Sequence, residues 1–128
     1  MRTRLDEAWG LSRPDVFSVR HVTANARLHP TVHEIKVTRA DLLGDLKLES
    51  KRRGYQSYSQ SFYYVIAQGI AEPAEIPPDC GVIVAAPDEL VLARPAPQRP
   101  ATLTTAHWIA LARARAEFGD DDDPQLQF

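Results

Sequence analysis

Two carboxylates and one amine are the residues of this chain whose types and spacing could do chemistry. Asp15 opens "PDVFSVRHV" (14–22), and Glu34 and Lys36 lie two apart in "TVHEIKV" (31–37). Both segments alternate and carry β-branched residues, so each reads as a strand. Residues i and i+2 of a strand project to the same side. Glu34 and Lys36 therefore share a face, while His33, Ile35 and Val37 take the other. Charges on a mostly buried strand are costly unless paired or put to use. The loop "TANARLHP" (23–30) joins the two strands, and a hairpin between them brings Asp15 close to Glu34. Two carboxylates are hard oxygen ligands suited to Mg2+ (or Mn2+), which keeps several waters when bound. Such a metal acidifies a bound water and stabilises charge on a phosphate. A neighbouring lysine orients that water and offsets charge developing in the transition state. Those are the three requirements of phosphodiester hydrolysis.

The elements that must position these groups follow along the chain. Residues 1–12 are expected to form a short helix around Leu5, Ala8 and Trp9. Thr38 with Asp41 three residues on is a helix-start signature, and the spacing predicts one helix running to about Arg53 and stopping at Gly54. Leu42, Leu43 and Leu46 then share one face, Lys47 and Lys51 one polar flank, and Asp41, Asp45 and Arg52 the other. Asp41 and Asp45 are expected to cap and to pair with basic neighbours. "SFYYVIA" (61–67) reads as a strand with Tyr63 and Tyr64 as core aromatics, and 68–79 as loop with one helical turn. "CGVIVAA" (80–86) reads as a strand buried on both faces, and 88–96 as its edge-hairpin partner. The proline-rich 94–100 is extended. Residues 102–118 form a helix capped by Thr102 or Thr104, with Trp108, Leu111, Ala112 and Phe118 packing inward. This order gives an α/β domain with helices covering a small mixed sheet.

Pro14-Asp15, then Glu34-Ile35-Lys36, resembles the signature of the PD-(D/E)XK nuclease superfamily. Over residues 14–86 the chain is similar to MmcB-like DNA-repair endonucleases. Asp41, Asp45, Lys51, Tyr55, Phe62, Tyr63 and "CGVIV" follow in that family's order. Where the family often carries a tryptophan after the helical lysine, this chain has Arg52. The resemblance implies a restriction-endonuclease-like fold and a metal-dependent DNA endonuclease of DNA repair or of phage and mobile-element DNA metabolism. It implies that Asp15 and Glu34 bind the metal with the Ile35 carbonyl as third ligand, and that Lys36 serves the attacking water. Lys47, Lys51, Arg52 and Arg53 would contact phosphates, with Tyr55 and Tyr58 available to stack on bases. The alternative is a catalytically silent module on the same fold that binds nucleic acid or a repair partner.

Composition sets the outer limits. The 128 residues suit one domain, taken as 1–118, followed by an acidic disordered tail, 119–128, that holds Asp120 to Asp123. The formal charge is −2, from 15 Lys and Arg against 17 Asp and Glu. Removing the four tail aspartates leaves 13 acids, a slightly basic balance. Cys80 is the single cysteine, so no internal disulfide or CxxC site exists, which fits a reducing, cytoplasmic setting. His21, His29 and His33 match no zinc spacing. No apolar run is long enough for a membrane span, and no Walker or GxGxxG loop indicates a nucleotide cofactor. A domain this small often needs a second copy to cut both DNA strands, so a homodimer is compatible with this reading.

Overall fold

The computed structural model describes residues 14–19 and 29–117, with side chains to Arg113. The expected helix over 1–12, His21, most of the loop over 23–30, Phe118 and the acidic tail lie outside the described residues. The remainder is an α/β domain, a small mixed sheet flanked by helices. Five strands form one sheet in chain order: β1 (Val16–Ser18), β2 (Thr31–Lys36), β3 (Ser61–Ala67), β4 (Gly81–Ala85) and β5 (Leu90–Arg94). The central pairs β2–β3 and β3–β4 are parallel, and the outer pairs β1–β2 and β4–β5 are antiparallel. Two helices, α1 (Arg39–Leu46) and α2 (Glu49–Ser57), form the crossover between β2 and β3. A 3-10 turn at Pro73–Glu75 lies in the next crossover, and α3 (Thr105–Glu117) follows the sheet.

Strand alternation separates the two faces. Val32, Phe62, Tyr64, Ile66 and Val82 point to the helix side and are fully buried there with Leu42 of α1 and Tyr55 of α2. Each such side chain contributes roughly 1.5–3 kcal/mol on removal from water. Tyr55 stacks on Phe62 at 5.7 Å, and Phe62 meets Tyr64 edge-on at 5.1 Å. Ala110 of α3 joins the same core. Thr104 caps α3 by accepting the His107 N–H at 3.3 Å, and His107 Nδ1 in turn accepts the Thr104 N–H at 3.0 Å. On the opposite face His33 stacks on Tyr63 at 5.4 Å. The Tyr63 hydroxyl accepts the Ala96 N–H at 3.2 Å, which ties the extended 95–100 segment to the sheet.

Thr38 caps α1 as expected, its hydroxyl accepting the Asp41 N–H at 3.2 Å. The single helix expected to reach Arg53 is instead two. After Leu46 the chain tightens, the Leu48 N–H donating to the Asp45 carbonyl at 2.9 Å, and α2 starts at Glu49. Arg52 donates to the Leu46 carbonyl at 3.1 Å, satisfying an acceptor that the end of α1 leaves open. Gly54, expected as a stop, lies inside α2. Leu43 and Trp108 are exposed, because the core stripe runs through Leu42 and Asp45 in α1 and through His107 and Ala110 in α3. β4 is fully buried only at Gly81 and Val82, its later residues being half-buried.

Candidate functional site

The β1–β2 hairpin pairs Val16 with His33, so the next step of the register sets Asp15 beside Glu34. The two residues clamp each other's backbone. The Asp15 N–H donates to Glu34 Oε1 at 3.0 Å, and the Ile35 N–H donates to Asp15 Oδ2 at 2.9 Å. The clamp holds two carboxylates side by side at the start of a three-residue strand whose Phe17 packs against the core. Asp15 is exposed, whereas Glu34 is 2 % exposed. The remaining Glu34 oxygen, Oε2, faces Lys36 Nζ at 3.8 Å and Lys51 Nζ at 3.9 Å.

A third carboxylate, which the helical periodicity assigns to a polar flank, completes the cluster. Asp45 is 6 % exposed, and its Oδ1 accepts from Lys51 Nζ at 2.7 Å and lies 3.4 Å from Lys36 Nζ. Its Oδ2 accepts from the Tyr64 hydroxyl at 2.7 Å. Tyr64 stands directly across from Glu34 in the parallel β2–β3 register, which places the phenol beside the cluster. Asp45 and Lys51 are six residues apart, about 240° around a continuous helix at 100° per residue. They meet only because the chain breaks between α1 and α2. Glu34, Lys36, Asp45, Lys51 and Tyr64 thus converge near the carboxyl end of β2, where ligands characteristically bind in open α/β sheets.

The electrostatics of the two buried carboxylates differ in sign. Burial raises the Glu34 pKa, outweighing the Asp15 N–H and the two lysines that act against it. Burial acts on Asp45 in the same direction, but the Lys51 and Tyr64 hydrogen bonds together with the Lys36 charge bring it below its ordinary value. The Lys51 pKa is raised: burial works against its charge, and the Asp45 bond overcomes it. The Tyr64 phenol is pushed up by burial and by its bond to Asp45, so it stays a hydrogen-bond donor.

The expected site residues divide accordingly. Asp15, Glu34 and Lys36 come together. Lys51, expected on a phosphate, is instead part of the same cluster. Arg52 is occupied with the Leu46 carbonyl, Arg53 pairs with Glu49 at 2.6 Å on the surface, and Lys47 is exposed at the end of α1. Tyr55, expected to reach bases, is 2 % exposed and stacked in the core, and Tyr58 is buried with it. Neither ring presents a face to a base. Asp45 pairs with basic side chains as expected, but its place in this buried cluster, and the Tyr64 hydroxyl beside it, were not read from the sequence. The acidic start of α2 at Glu49 was the available signal, since a carboxylate favours a helix N-terminus and marks a new helix there.

Among the described residues no three His, Cys, Asp or Glu side chains converge in a way that could hold a metal ion. A Mg2+ ion does not require three, since it commonly takes one or two carboxylates and fills its octahedron with water. Asp15 and Glu34 fit that pattern: Asp15 Oδ1 has no hydrogen-bond partner among the described residues, and Glu34 Oε2 faces cations beyond hydrogen-bonding distance. The Ile35 N–H is used by Asp15, and its carbonyl belongs to the same strand position.

No protein-family model matches the chain, and no curated protein does. Among solved structures the chain is similar to SPO1766, a protein of unknown function from Silicibacter pomeroyi, with 22% identity and a TM-score of 0.55. The likeness covers 76% of this chain and 65% of that protein, and it shows a shared fold. No helix among the described residues is long and apolar enough to cross a membrane.

Proposed function

We propose that this domain hydrolyses DNA phosphodiester bonds as a Mg2+- or Mn2+-dependent endonuclease of the PD-(D/E)XK type. The observation that carries the reading is the reciprocal clamp between Asp15 and Glu34, with the Lys36 amine 3.8 Å from Glu34 Oε2. Asp15 and Glu34 would hold the metal, with the Ile35 carbonyl as a further oxygen. When bound, the metal supplies an acidified water and charge compensation at the scissile phosphate. Lys36 orients the attacking water and offsets charge building on the phosphate oxygens. Asp45 holds the Lys36 and Lys51 amines in place, and Tyr64 fixes the Asp45 carboxylate. The roles in DNA repair or mobile-element metabolism, and DNA rather than RNA as substrate, rest on the family resemblance.

A second reading, a silent nucleic-acid-binding module, is favoured by one observation. Glu34 and Asp45 are matched by Lys36 and Lys51, so the buried cluster is already charge-balanced. The test is cleavage of single-stranded, nicked and flapped DNA by the full chain with Mg2+, Mn2+ or chelator. The nuclease reading expects metal-dependent cleavage that Glu34→Gln and Lys36→Ala each reduce at least about 100-fold, the loss typical of removing a group that stabilises transition-state charge. Salt-sensitive DNA binding without cleavage, indifferent to metal, selects the silent module and sinks the nuclease reading.

A further inference from the structure

The carboxylate–lysine cluster holds one more amine than the proposed chemistry uses. Lys36 orients the attacking water in that reading, and Lys51 takes no part in that step. Lys51 is nevertheless the more firmly held of the two. Its Nζ donates to Asp45 Oδ1 at 2.7 Å and lies 3.9 Å from Glu34 Oε2. It also sits 5.9 Å over the Tyr55 ring, which is fixed in the core by stacking on Phe62. Lys36 Nζ faces the same two oxygens, at 3.4 Å from Asp45 Oδ1 and 3.8 Å from Glu34 Oε2. The two buried carboxylates thus each turn one oxygen toward the same pair of ammoniums.

Those two oxygens are also what a second divalent ion would need. Phosphodiesterases that use two ions hold them about 3.5–4 Å apart, one on the attacking and one on the leaving oxygen. In this cluster Glu34 would have to serve both ions, with Asp45 completing the second set of ligands. Asp45 does not join Asp15 and Glu34 in that way: among the described residues no three acidic side chains converge as one ligand set. Charge points in the same direction. Asp15, Glu34 and Asp45 carry three negative charges, and Lys36 and Lys51 carry two positive ones. One divalent ion and one phosphate diester bring that group to neutrality. A second ion would leave two positive charges uncompensated beside Glu34 and Asp45, both buried, and unpaired charge is costly in such a place.

We infer that Lys51 takes the place of a second cation, so that this site works with a single divalent ion. The inference rests on the nuclease reading of the cluster and deepens it. Lys51 is then a positioning residue. It supplies a fixed positive charge on the Asp45 side and keeps Asp45 from drawing in another ion, which leaves Lys36 to serve the water at the Asp15–Glu34 side. The fold builds this amine in through the break between α1 and α2. On one continuous helix Asp45 and Lys51 would lie on different sides, and Asp45 would stand open to a metal.

The experiment counts Mn2+ bound to the full chain at saturation by electron paramagnetic resonance, with Mn2+ alone as the probe. The wild type is expected to hold one ion per chain, with the spectrum of an isolated Mn2+. Lys51→Met frees Asp45 Oδ1 and removes one positive charge, and is expected to hold two ions per chain. At the spacing of two-metal sites their spins couple, so the isolated spectrum should be lost. Lys51→Arg keeps the charge and is expected to stay at one. Circular dichroism checks that each variant is folded; should Lys51→Met fail to fold, Lys51→Gln, which keeps a donor for Asp45, serves in its place. A wild type with two coupled ions, or a folded neutral variant that still holds one, overturns the inference and leaves the nuclease reading standing. A wild type that binds no Mn2+ sinks the nuclease reading and this inference with it.

Discussion

Asp45→Asn isolates what holds the cluster together. Asparagine keeps the shape and still accepts from the Tyr64 hydroxyl, but it removes the charge that faces Lys51 at 2.7 Å and Lys36 at 3.4 Å. Both ammoniums are then left with Glu34 alone, at 3.8 and 3.9 Å. Removing one partner of a buried ion pair costs about 3–5 kcal/mol. The Lys36 and Lys51 side chains keep 14% and 21% of their exposure, so water recovers part of that loss. The low end, about 3 kcal/mol, is the working figure. With a urea slope of about 1.5 kcal/mol/M, the unfolding midpoint falls by about 2 M. The Asp45 pKa is depressed, so its contribution is present above the ordinary carboxylate value of 3.8 and is lost as pH falls through the folded value. The gap between wild type and variant should therefore hold near neutrality and close in acid. Lys51→Met supplies the second edge of a double-mutant cycle. A midpoint shift below about 0.5 M, or a coupling energy below about 0.5 kcal/mol, would refute the account of Asp45 as the anchor of the lysine pair.

Glu34→Gln should behave in the opposite sense. Its ionised form is disfavoured by burial, so the neutral amide is expected to leave stability at pH 7 equal or higher while cleavage is lost, read by urea melts beside the nuclease assay. Gly54→Ala adds a methyl with no atom within 4 Å in the interior of α2, and should stabilise by about 0.5–1 kcal/mol. Gly81→Ala places a methyl against the Tyr63 ring and 2.8 Å from the Ala96 Cβ, and should cost about 1–3 kcal/mol through overpacking, measured as a lowered thermal midpoint. A stabilised Gly81→Ala would mean that the 95–100 segment does not lie on the sheet as described.

The strands were legible because alternation is a local signal. β2 and β3 fall where the β-branched and aromatic runs predict, and the placement of Glu34 and Lys36 on one face follows from parity alone. Asp15 was legible for a similar reason, since a hairpin fixes which residues meet once its register is set. The crossover was not. Nothing in "GDLKLESK" is a glycine or proline break between Leu46 and Glu49, so helical periodicity runs on through it. The break is made by tertiary bonds: the Arg52 guanidinium on the Leu46 carbonyl, and Lys51 on Asp45. A one-dimensional reading sees Asp45 and Lys51 on different sides of one helix, and therefore expects the first to cap or pair with basic neighbours on its own flank and the second to contact a phosphate. Tyr64 was hidden differently. Its ring is core, as its strand position predicts, and only its hydroxyl reaches the cluster.

The two carboxylates that face the same lysine pair carry different burdens, and that difference bears on function. Asp45 is anchored by a phenol and an amine in direct hydrogen bonds, an arrangement that a structural network needs and that stability alone explains. Glu34 receives one backbone N–H and two amines that stay beyond hydrogen-bonding distance. A buried carboxylate kept in that condition is a poor stabilising device, because an apolar residue of similar volume is often neutral or better at such a position. Its position beside an exposed aspartate, toward the carboxyl end of β2, fits the proposed site for a charged ligand. The Asp15 clamp strengthens the point. Asp15 lies on the surface, where holding the Ile35 N–H contributes little to stability, yet it is fixed against the one buried glutamate of the sheet. If the clamp were only structural, Asp15→Asn, which can still accept that N–H, would leave metal-dependent activity untouched; the nuclease reading requires it to fail.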